Sequence, residues 1–360
     1  MTQKLLCKYA GRNSEIFFSS KPEDILLKLQ KEYSNIAIVC DANIKKLYGL
    51  GLKNKLKLKN EKLIAFPSGE KSKTFKTVEM ILDKLLKLNF DRYSCLIALG
   101  GGVTGDIAGF AASLYMRGIN LIQIPTSLLA QVDSSVGGKV GVNYLANHSL
   151  RKNFLGSFYQ PNIIIINSDY LDKLNKMQYL SGLAEAIKYG IILDKDLFKL
   201  FEENKIKILN KDKKLLNEII YRSINNKKMI CENDQFEASN GKLSRKLLNY
   251  GHTFGHALEQ IKIKNKIRHG FAVAYGMQIA ALISNSLGYL SDFQMNRHNN
   301  LLYEYGLLKN IDLKTKALLL KEIGHDKKNK GNKITMALLK SIGHSFVKND
   351  IPLSKLKNII

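Results

Sequence analysis

The chain has 360 residues, 45% of them hydrophobic, with 56 Lys and Arg against 31 Asp and Glu for a formal charge of +25. That composition excludes a disordered polymer, and the length suits two domains, because a single core stops growing near about 250–300 residues. The charge invites a nucleic-acid partner, yet only 8 of the 56 basic residues are Arg, and scattered Lys such as Lys53, Lys55, Lys205 and Lys207 read as solvated surface. What survives is a leaning toward anionic small molecules, with no nucleic acid as partner.

Along the first half, short β-branched runs predict strands at 35–39, 62–66, 94–99, 120–124 and 162–166. Between them, Phe75, Val78, Ile81, Leu82, Leu85 and Leu86 recur at spacings of three and four, which predicts a helix over 74–89. Strands alternating with helices predict an α/β N-terminal domain built on a Rossmann-like, doubly wound parallel sheet. Beyond about Leu171 the strand signals thin out, and helical patterns over 178–192, 196–228, 245–261 and 269–287 predict an all-α C-terminal domain. The expected boundary is therefore 1–171 and 172–360, with a cleft between the halves as the default place for a site.

Ligands of such sheets bind beyond the carboxyl ends of the strands. Leu99-Gly100-Gly101-Gly102-Val103-Thr104-Gly105-Asp106 reads as a strand end, a tight turn and a helix start, which is suited to a phosphate or pyrophosphate. Asp41-Ala42-Asn43 and the run from Pro67 to Lys73 follow two other strands, and serve equally as turns and caps. The run from Pro125 to Lys139 is a dense polar loop of the kind that touches ligands.

In the second half, His252 and His256 lie four residues apart on one helical face, His269 opens another apolar helix, and Glu185 and Lys188 share a helix at i and i+3. By spacing alone His252 and His256 could both bind one metal; two imidazoles and a carboxylate leave an open, catalytic position. The four Cys show no metal-binding or disulfide spacing. No apolar run of 18 residues exists and the first residues lack signal-peptide character, so a cytoplasmic protein without membrane contact is expected.

Together the segments PSGEKSKT (67–74), LGGGVTGDIAGFAASLYMRG (99–118), QIPTSLLAQVDSSVGGKVGVN (123–143), KNFLGSFYQP (152–161), GLAEAIKYG (182–190), LLNYGHTFGHALE (247–259), HGFAVAYGM (269–277) and HDKK (325–328) resemble the 3-dehydroquinate synthase family of the sugar phosphate cyclases. The resemblance implies NAD and a divalent metal, Zn2+ or Co2+, acting on an anionic sugar phosphate, 3-deoxy-D-arabino-heptulosonate 7-phosphate. Transient oxidation, phosphate elimination, reduction and an intramolecular aldol closure would then give 3-dehydroquinate, in the shikimate route to aromatic compounds. It also implies a homodimer. A cyclase for a different heptulose phosphate is the alternative.

Carried over motif by motif, the resemblance assigns Glu185, His252 and His269 to the metal, and His256, Lys188, Asn249 and Asp133 to catalysis. Arg117, Lys139, Lys152, Asn153, Lys227, Arg245, Lys327 and Lys328 fall on substrate positions. For the cofactor it assigns Asp41, Asn43, Glu70, Lys73, Gly101, Gly102, Val103, Asp106, Thr126, Ser127 and Leu129, with Lys139 and Lys152 shared. The chain departs from the family pattern in two insertions of about four residues, between Lys139 and Lys152 and between Glu237 and Arg245. Lys173 stands where a threonine is usual, and Phe271 where a glutamate follows the metal-ligand histidine and its glycine.

Overall fold

A computed structural model describes residues 3–146, 149–239, 241–261, 267–308, 318–319 and 333–352. The chain divides into two compact units, Met1–Leu174 and Asn175–Ile360.

The first unit is a seven-stranded sheet in the order β1-β2-β9-β6-β5-β3-β4. Its strands are β1 (Gln3–Cys7), β2 (Ser14–Phe18), β3 (Ile36–Asp41), β4 (Leu63–Phe66), β5 (Cys95–Gly100), β6 (Asn120–Pro125) and β9 (Ile163–Ile166). All neighbours pair in parallel except the edge hairpin β1–β2. Alternate side chains serve opposite faces. Ala37, Val39, Leu96 and Ala98 pack with Val78, Ile81 and Leu85 of α2 (Phe75–Lys87) and Ile107, Ala108 and Ala111 of α3 (Gly102–Leu114). Ile36, Ile38, Cys40, Cys95, Ile97 and Leu99 pack on the other face with Leu26 of α1 (Pro22–Leu29), Leu52 and Leu56. With both faces covered, the central strands can be apolar throughout, which is why they read as continuous runs.

From β3 the chain steps outward to β4 and then returns across β3 to β5. The order therefore reverses at the β3/β5 pair, the crevice where open α/β sheets take their ligands. A second sheet in this unit is the hairpin of β7 (Lys139–Ala146) and β8 (Ser149–Phe158).

The second unit is helical: α4 (Lys176–Ile192), α5 (Lys195–Glu203), α6 (Lys213–Asn233), α7 (His252–Gln260), α8 (His269–Ser286) and α9 (Asp292–Glu304). In α4 every residue from Tyr179 to Ile192 is buried, and most of α8 is too, as expected of helices apolar on all sides. Asn175, Asp194, Asp212 and Ser291 cap α4, α5, α6 and α9 by accepting from amides of the first turn. Among the described residues no helix is long and apolar enough to cross a membrane.

Three differences from the sequence reading have local causes. The helix expected over 196–228 breaks twice, because Asn204 ends α5 and Lys211, with φ of 60°, precedes the Asp212 cap. The helix expected over 245–261 breaks at Gly251, whose φ is 79°; a Cβ there would lie 2.6 Å from Met277 Cγ and 2.7 Å from Val273 O. Its near neighbour across the α7–α8 contact, Gly276, would put a Cβ 1.9 Å from Gly251 O, so both backbones meet at van der Waals distance only because both residues lack side chains. Finally, the helical unit also carries a hairpin, β10 (Lys333–Ser341) and β11 (His344–Pro352). Gly343 N–H donates to Ile191 O at 2.7 Å and Ser345 Oγ to Ile192 O at 3.0 Å, so the hairpin satisfies carbonyls left open at the end of α4.

Candidate functional site

In the first unit, the expected nucleotide residues gather at the carboxyl ends of β3, β4, β5 and β6. Asp41 ends β3, and its Oδ1 accepts from the amides of Asn43 (2.8 Å) and Ile44 (3.1 Å) and from Ser68 Oγ (2.7 Å). Beyond β5, α3 begins at Gly102 with no side-chain cap and no acidic residue in its first turn, so its first amides remain available to an anion. A Cβ on Gly101 would sit 3.2 Å from Ser127 Oγ, and one on Gly102 3.0 Å from Ser134 Oγ. The two glycines thus form a cradle that side chains would fill. Val103 and Asp106 lie half-buried on the same first turns, and Thr126, with Ser127 and Leu129 behind it, extends β6 by donating its amide to Gly100 O at 2.9 Å.

Lys73 is 6% exposed; its Nζ pairs with Asp106 and donates to Asn153 Oδ1 at 2.5 Å. Glu70 accepts from Asn143 Nδ2 at 2.8 Å. These contacts join the segment after β4 to the β7–β8 hairpin, which carries Lys139, Lys152 and Asn153. Asp133 lies half-buried on the single turn Ala130–Ser134. Arg117 is not brought to this group. It follows the last turn of α3, a helix of 13 residues that begins at Gly102, so about 20 Å of helix separates it from the glycine cradle. Lys327 and Lys328 lie outside the described residues.

In the second unit, α4, α7 and α8 bring Glu185, His252 and His269 together, with ligand atoms all within 4.8 Å of one another. Glu185 is fully buried; its Oε1 lies 3.3 Å from His252 Nε2 and 3.4 Å from His269 Nε2, and its Oε2 lies 2.5 Å from Lys188 Nζ. Burial works against its charge, but Lys188 and His252 outweigh that and hold the carboxyl well below the usual range. Even so, neither Glu185 oxygen receives a well-directed hydrogen bond. His252 Nδ1 lies 3.2 Å from the Tyr250 carbonyl, to which it can only donate, so Nε2 is the ring atom left to face Glu185. Two imidazole nitrogens converging on one oxygen of a buried carboxylate form a donor set in which a cation can take the place of the imidazole protons, and one carboxylate with two imidazoles suits zinc or cobalt.

His269 differs in having a carboxylate at each ring nitrogen. Burial opposes its charge, yet Glu185 on Nε2 and Glu259 on Nδ1 (3.5 Å) raise its pKa to about 10. His256 groups instead with Glu259 and His269, and is exposed. The i, i+4 spacing thus puts His252 and His256 on one face, while only His252 joins Glu185.

Arg245 and Asn249 flank the short helical turn Arg245–Asn249 that precedes Gly251. Arg245 is 3% exposed, with its amide on Asp234 Oδ2 (2.8 Å) and Nη1 donating to Gln235 O (2.6 Å). Asn249 Nδ2 donates to Glu237 Oε1 at 2.6 Å. Lys227 is buried on α6. Sequence reasoning missed two acids here. Glu259, one turn beyond His256, has a legible signal in its i+3 spacing; Glu237 has none, because it reaches Asn249 only through the turn capped by Asp234.

Comparison with known proteins gives the family. Models described as 3-dehydroquinate synthase N-terminal and 3-dehydroquinate synthase C-terminal match residues 63–181 and 182–329. The 3-dehydroquinate synthase of Thermodesulfovibrio yellowstonii is 43% identical over 90% of this chain and 89% of its own length. That of Campylobacter concisus is 40% identical over 88% of each. Among solved structures, the fold is shared with a 2-epi-5-epi-valiolone synthase from Streptomyces hygroscopicus subsp. jinggangensis with NAD+ and Zn2+ bound (TM-score 0.84, 24% identity, 96% and 94% of the two chains). It is also shared with a 2-deoxy-scyllo-inosose synthase complexed with carbaglucose-6-phosphate, NAD+ and Co2+ (TM-score 0.80, 23% identity, 99% of each).

Proposed function

This chain belongs to the 3-dehydroquinate synthase family, and we propose that it is itself such an enzyme, an NAD- and metal-dependent phosphorus–oxygen lyase of the cytoplasm. It would convert 3-deoxy-D-arabino-heptulosonate 7-phosphate to 3-dehydroquinate and phosphate. The observation that carries the reading is the cluster of buried Glu185 with half-buried His252 and His269, in a chain at least 40% identical to named synthases over most of its length. The four buried free cysteines suit a reducing compartment.

When bound, NAD+ supplies reversible oxidation of a substrate alcohol, and a zinc or cobalt ion supplies polarisation of its hydroxyls. The chain's own residues then have defined work. Asp41 and Asn43 would hold the ribose end, Glu70 and Lys73 the adenosine side, and the Gly101–Gly102 cradle with Val103 and Asp106 the pyrophosphate. Thr126, Ser127 and Leu129 would face the nicotinamide. Glu185, His252 and His269 would hold the metal, with Tyr250 O and Glu259 fixing the two imidazoles from behind.

Lys139, Lys152 and Asn153 would bind the substrate phosphate, and Arg245, with Asn249, its carboxylate or hydroxyls. Lys188, Lys227 and Asp133 complete the polar set. His256, an exposed imidazole beside Glu259, is suited to moving a proton near neutral pH. Positioning the phosphate leaving group near the C–H to be deprotonated is the main demand on the protein. The expected homodimer has an apolar surface available in the hairpin, where Tyr144, Leu145, Leu150, Phe154 and Phe158 are exposed.

Incubation with the heptulosonate phosphate, catalytic NAD+ and Zn2+ should release phosphate and form dehydroquinate without net NADH. No release of either product refutes the reading, and turnover of a heptulose phosphate lacking the carboxylate in its place points to a different cyclase.

A further inference from the structure

Asn143 belongs to none of the assignments above, yet it is the junction between two of them. The β7–β8 register passes from Val142–Leu155 to Tyr144–Arg151, so the ladder is interrupted at Asn143 by a bulge whose extra residues, 152–154, lie on β8. A bulge releases a residue from its own ladder and re-aims it. Here Asn143 N–H donates to Lys73 O at 2.9 Å, and Asn143 bridges Thr74, outside its own hairpin. Its side chain, in a residue 5% exposed, is used at both ends. Nδ2 donates to Glu70 Oε1 at 2.8 Å, and Oδ1 accepts from Asn153 N at 3.0 Å.

That bond holds Asn153 in place. Its φ is 52°, in the left-handed region that asparagine enters more readily than other residues with a side chain. The same Asn153 accepts from Lys73 Nζ through Oδ1. A closed ring of hydrogen bonds therefore runs Lys73–Asn143–Asn153–Lys73, with Glu70 attached, and Asn143 supplies two of its three sides.

We propose that Asn143 is a positioning residue that couples the nucleotide segment (Glu70, Lys73) to the phosphate-binding hairpin (Lys139, Lys152, Asn153), so that NAD+ and a phosphate dianion bind with positive coupling. This rests on the activity proposed above. A ligand that fixes Glu70 and Lys73 fixes both partners of Asn143, and with them the backbone of Asn153. Coupling is reciprocal: whatever NAD+ does for phosphate, phosphate does for NAD+. With two side-chain hydrogen bonds in the path, a coupling of about tenfold is expected.

The test is calorimetric titration of the full-length protein with NAD+, with and without saturating inorganic phosphate, and the reverse. Wild type should bind NAD+ about tenfold tighter with phosphate present, and Asn143→Ala should reduce that ratio to within twofold of unity while melting stays cooperative. Asn143→Asp sets a carboxylate against Glu70 and should also abolish coupling. Adding Glu70→Gln, whose amide can donate to the new carboxylate, should restore it whatever happens to absolute NAD+ affinity, a rescue that a merely structural role would not give. Should Asn143→Ala fail to fold, the Asp variant and its rescue still decide. An unchanged ratio in the variants, or no rescue, overturns the role of Asn143. So does a wild type that binds both ligands independently. A wild type that binds no NAD+ at all overturns the proposed activity itself.

Discussion

Replacing Glu185 by Gln removes one negative charge and almost no volume from the middle of α4. Lys188 Nζ, 2.5 Å away on a side chain 2% exposed, would be left charged and unpaired among apolar helices. At an effective dielectric of about 20, two charges at that distance attract by on the order of 7 kcal/mol, much of it offset by desolvation. Breaking a buried pair on one side costs about 3–5 kcal/mol net. Glu185→Gln should therefore destabilise the metal-free protein by about that amount. Removing the partner as well, in Glu185→Gln/Lys188→Met, should recover much of the loss, because a neutral pair of similar volume has no charge left to strand. Urea unfolding followed by far-ultraviolet circular dichroism at pH 7 with EDTA, on both single variants and the double, measures the coupling directly. If Glu185→Gln stays within about 0.5 kcal/mol of wild type, the carboxyl is not the charged partner of Lys188 and the electrostatic account of this cluster fails.

Zinc affinity should rise with pH: His269, whose pKa lies near 10 in the metal-free protein, must release a proton to bind, so the apparent association constant should climb about tenfold per unit between pH 6 and 9. A competition titration with a chromophoric chelator checks the slope, and a flat profile contradicts the His269 environment. His298 is fully buried, between Tyr250 OH and Asn299, and burial pulls its pKa down to about 4. The unfolded chain therefore binds a proton that the folded one refuses, and stability should fall as pH drops from about 6.5 to about 4, by roughly 1.4 kcal/mol per unit at most. His298→Phe should flatten that part of a urea-midpoint profile. Gly251→Ala places a Cβ against Val273 O at positive φ; loss of at least about 2 kcal/mol together with weakened zinc binding is expected, since His252 follows directly. Zinc titration with wild-type affinity would show that the α7–α8 contact does not position His252.

The parallel sheet was legible in the sequence because both its faces are buried, so β3, β4, β5, β6 and β9 are near-continuous apolar runs separated by an amphipathic helix and polar turns. The cradle at Gly101–Gly102 was legible for a related reason: a strand end, three glycines and a helix start are a local pattern. Strands β1, β2, β7, β8, β10 and β11 carry no such signal, since five to ten residues of mixed character take their conformation from a partner strand and not from their own periodicity. Hydrophobic spacing runs through both helix breaks for different reasons: the Asp212 cap on Leu215 N is local but leaves the apolar period undisturbed, whereas the break at Gly251 depends on the backbone of α8 lying against it.

In the site the division falls the same way. Residue type and spacing alone determined that Glu185, Lys188, His252, His256 and His269 are chemistry-bearing groups on apolar helices. Spacing left His252 and His256 equivalent; the tertiary structure separated them, turning one toward Glu185 and the other toward Glu259. It likewise decided the surroundings of Asn143 and Glu237, whose partners lie up to 73 residues away in sequence, and it put Arg117 at the end of α3 remote from the glycine cradle. The physical reason is one of range: hydrophobic period and helix spacing act over a few residues, whereas hydrogen-bond partners of buried polar groups are fixed only when distant segments pack.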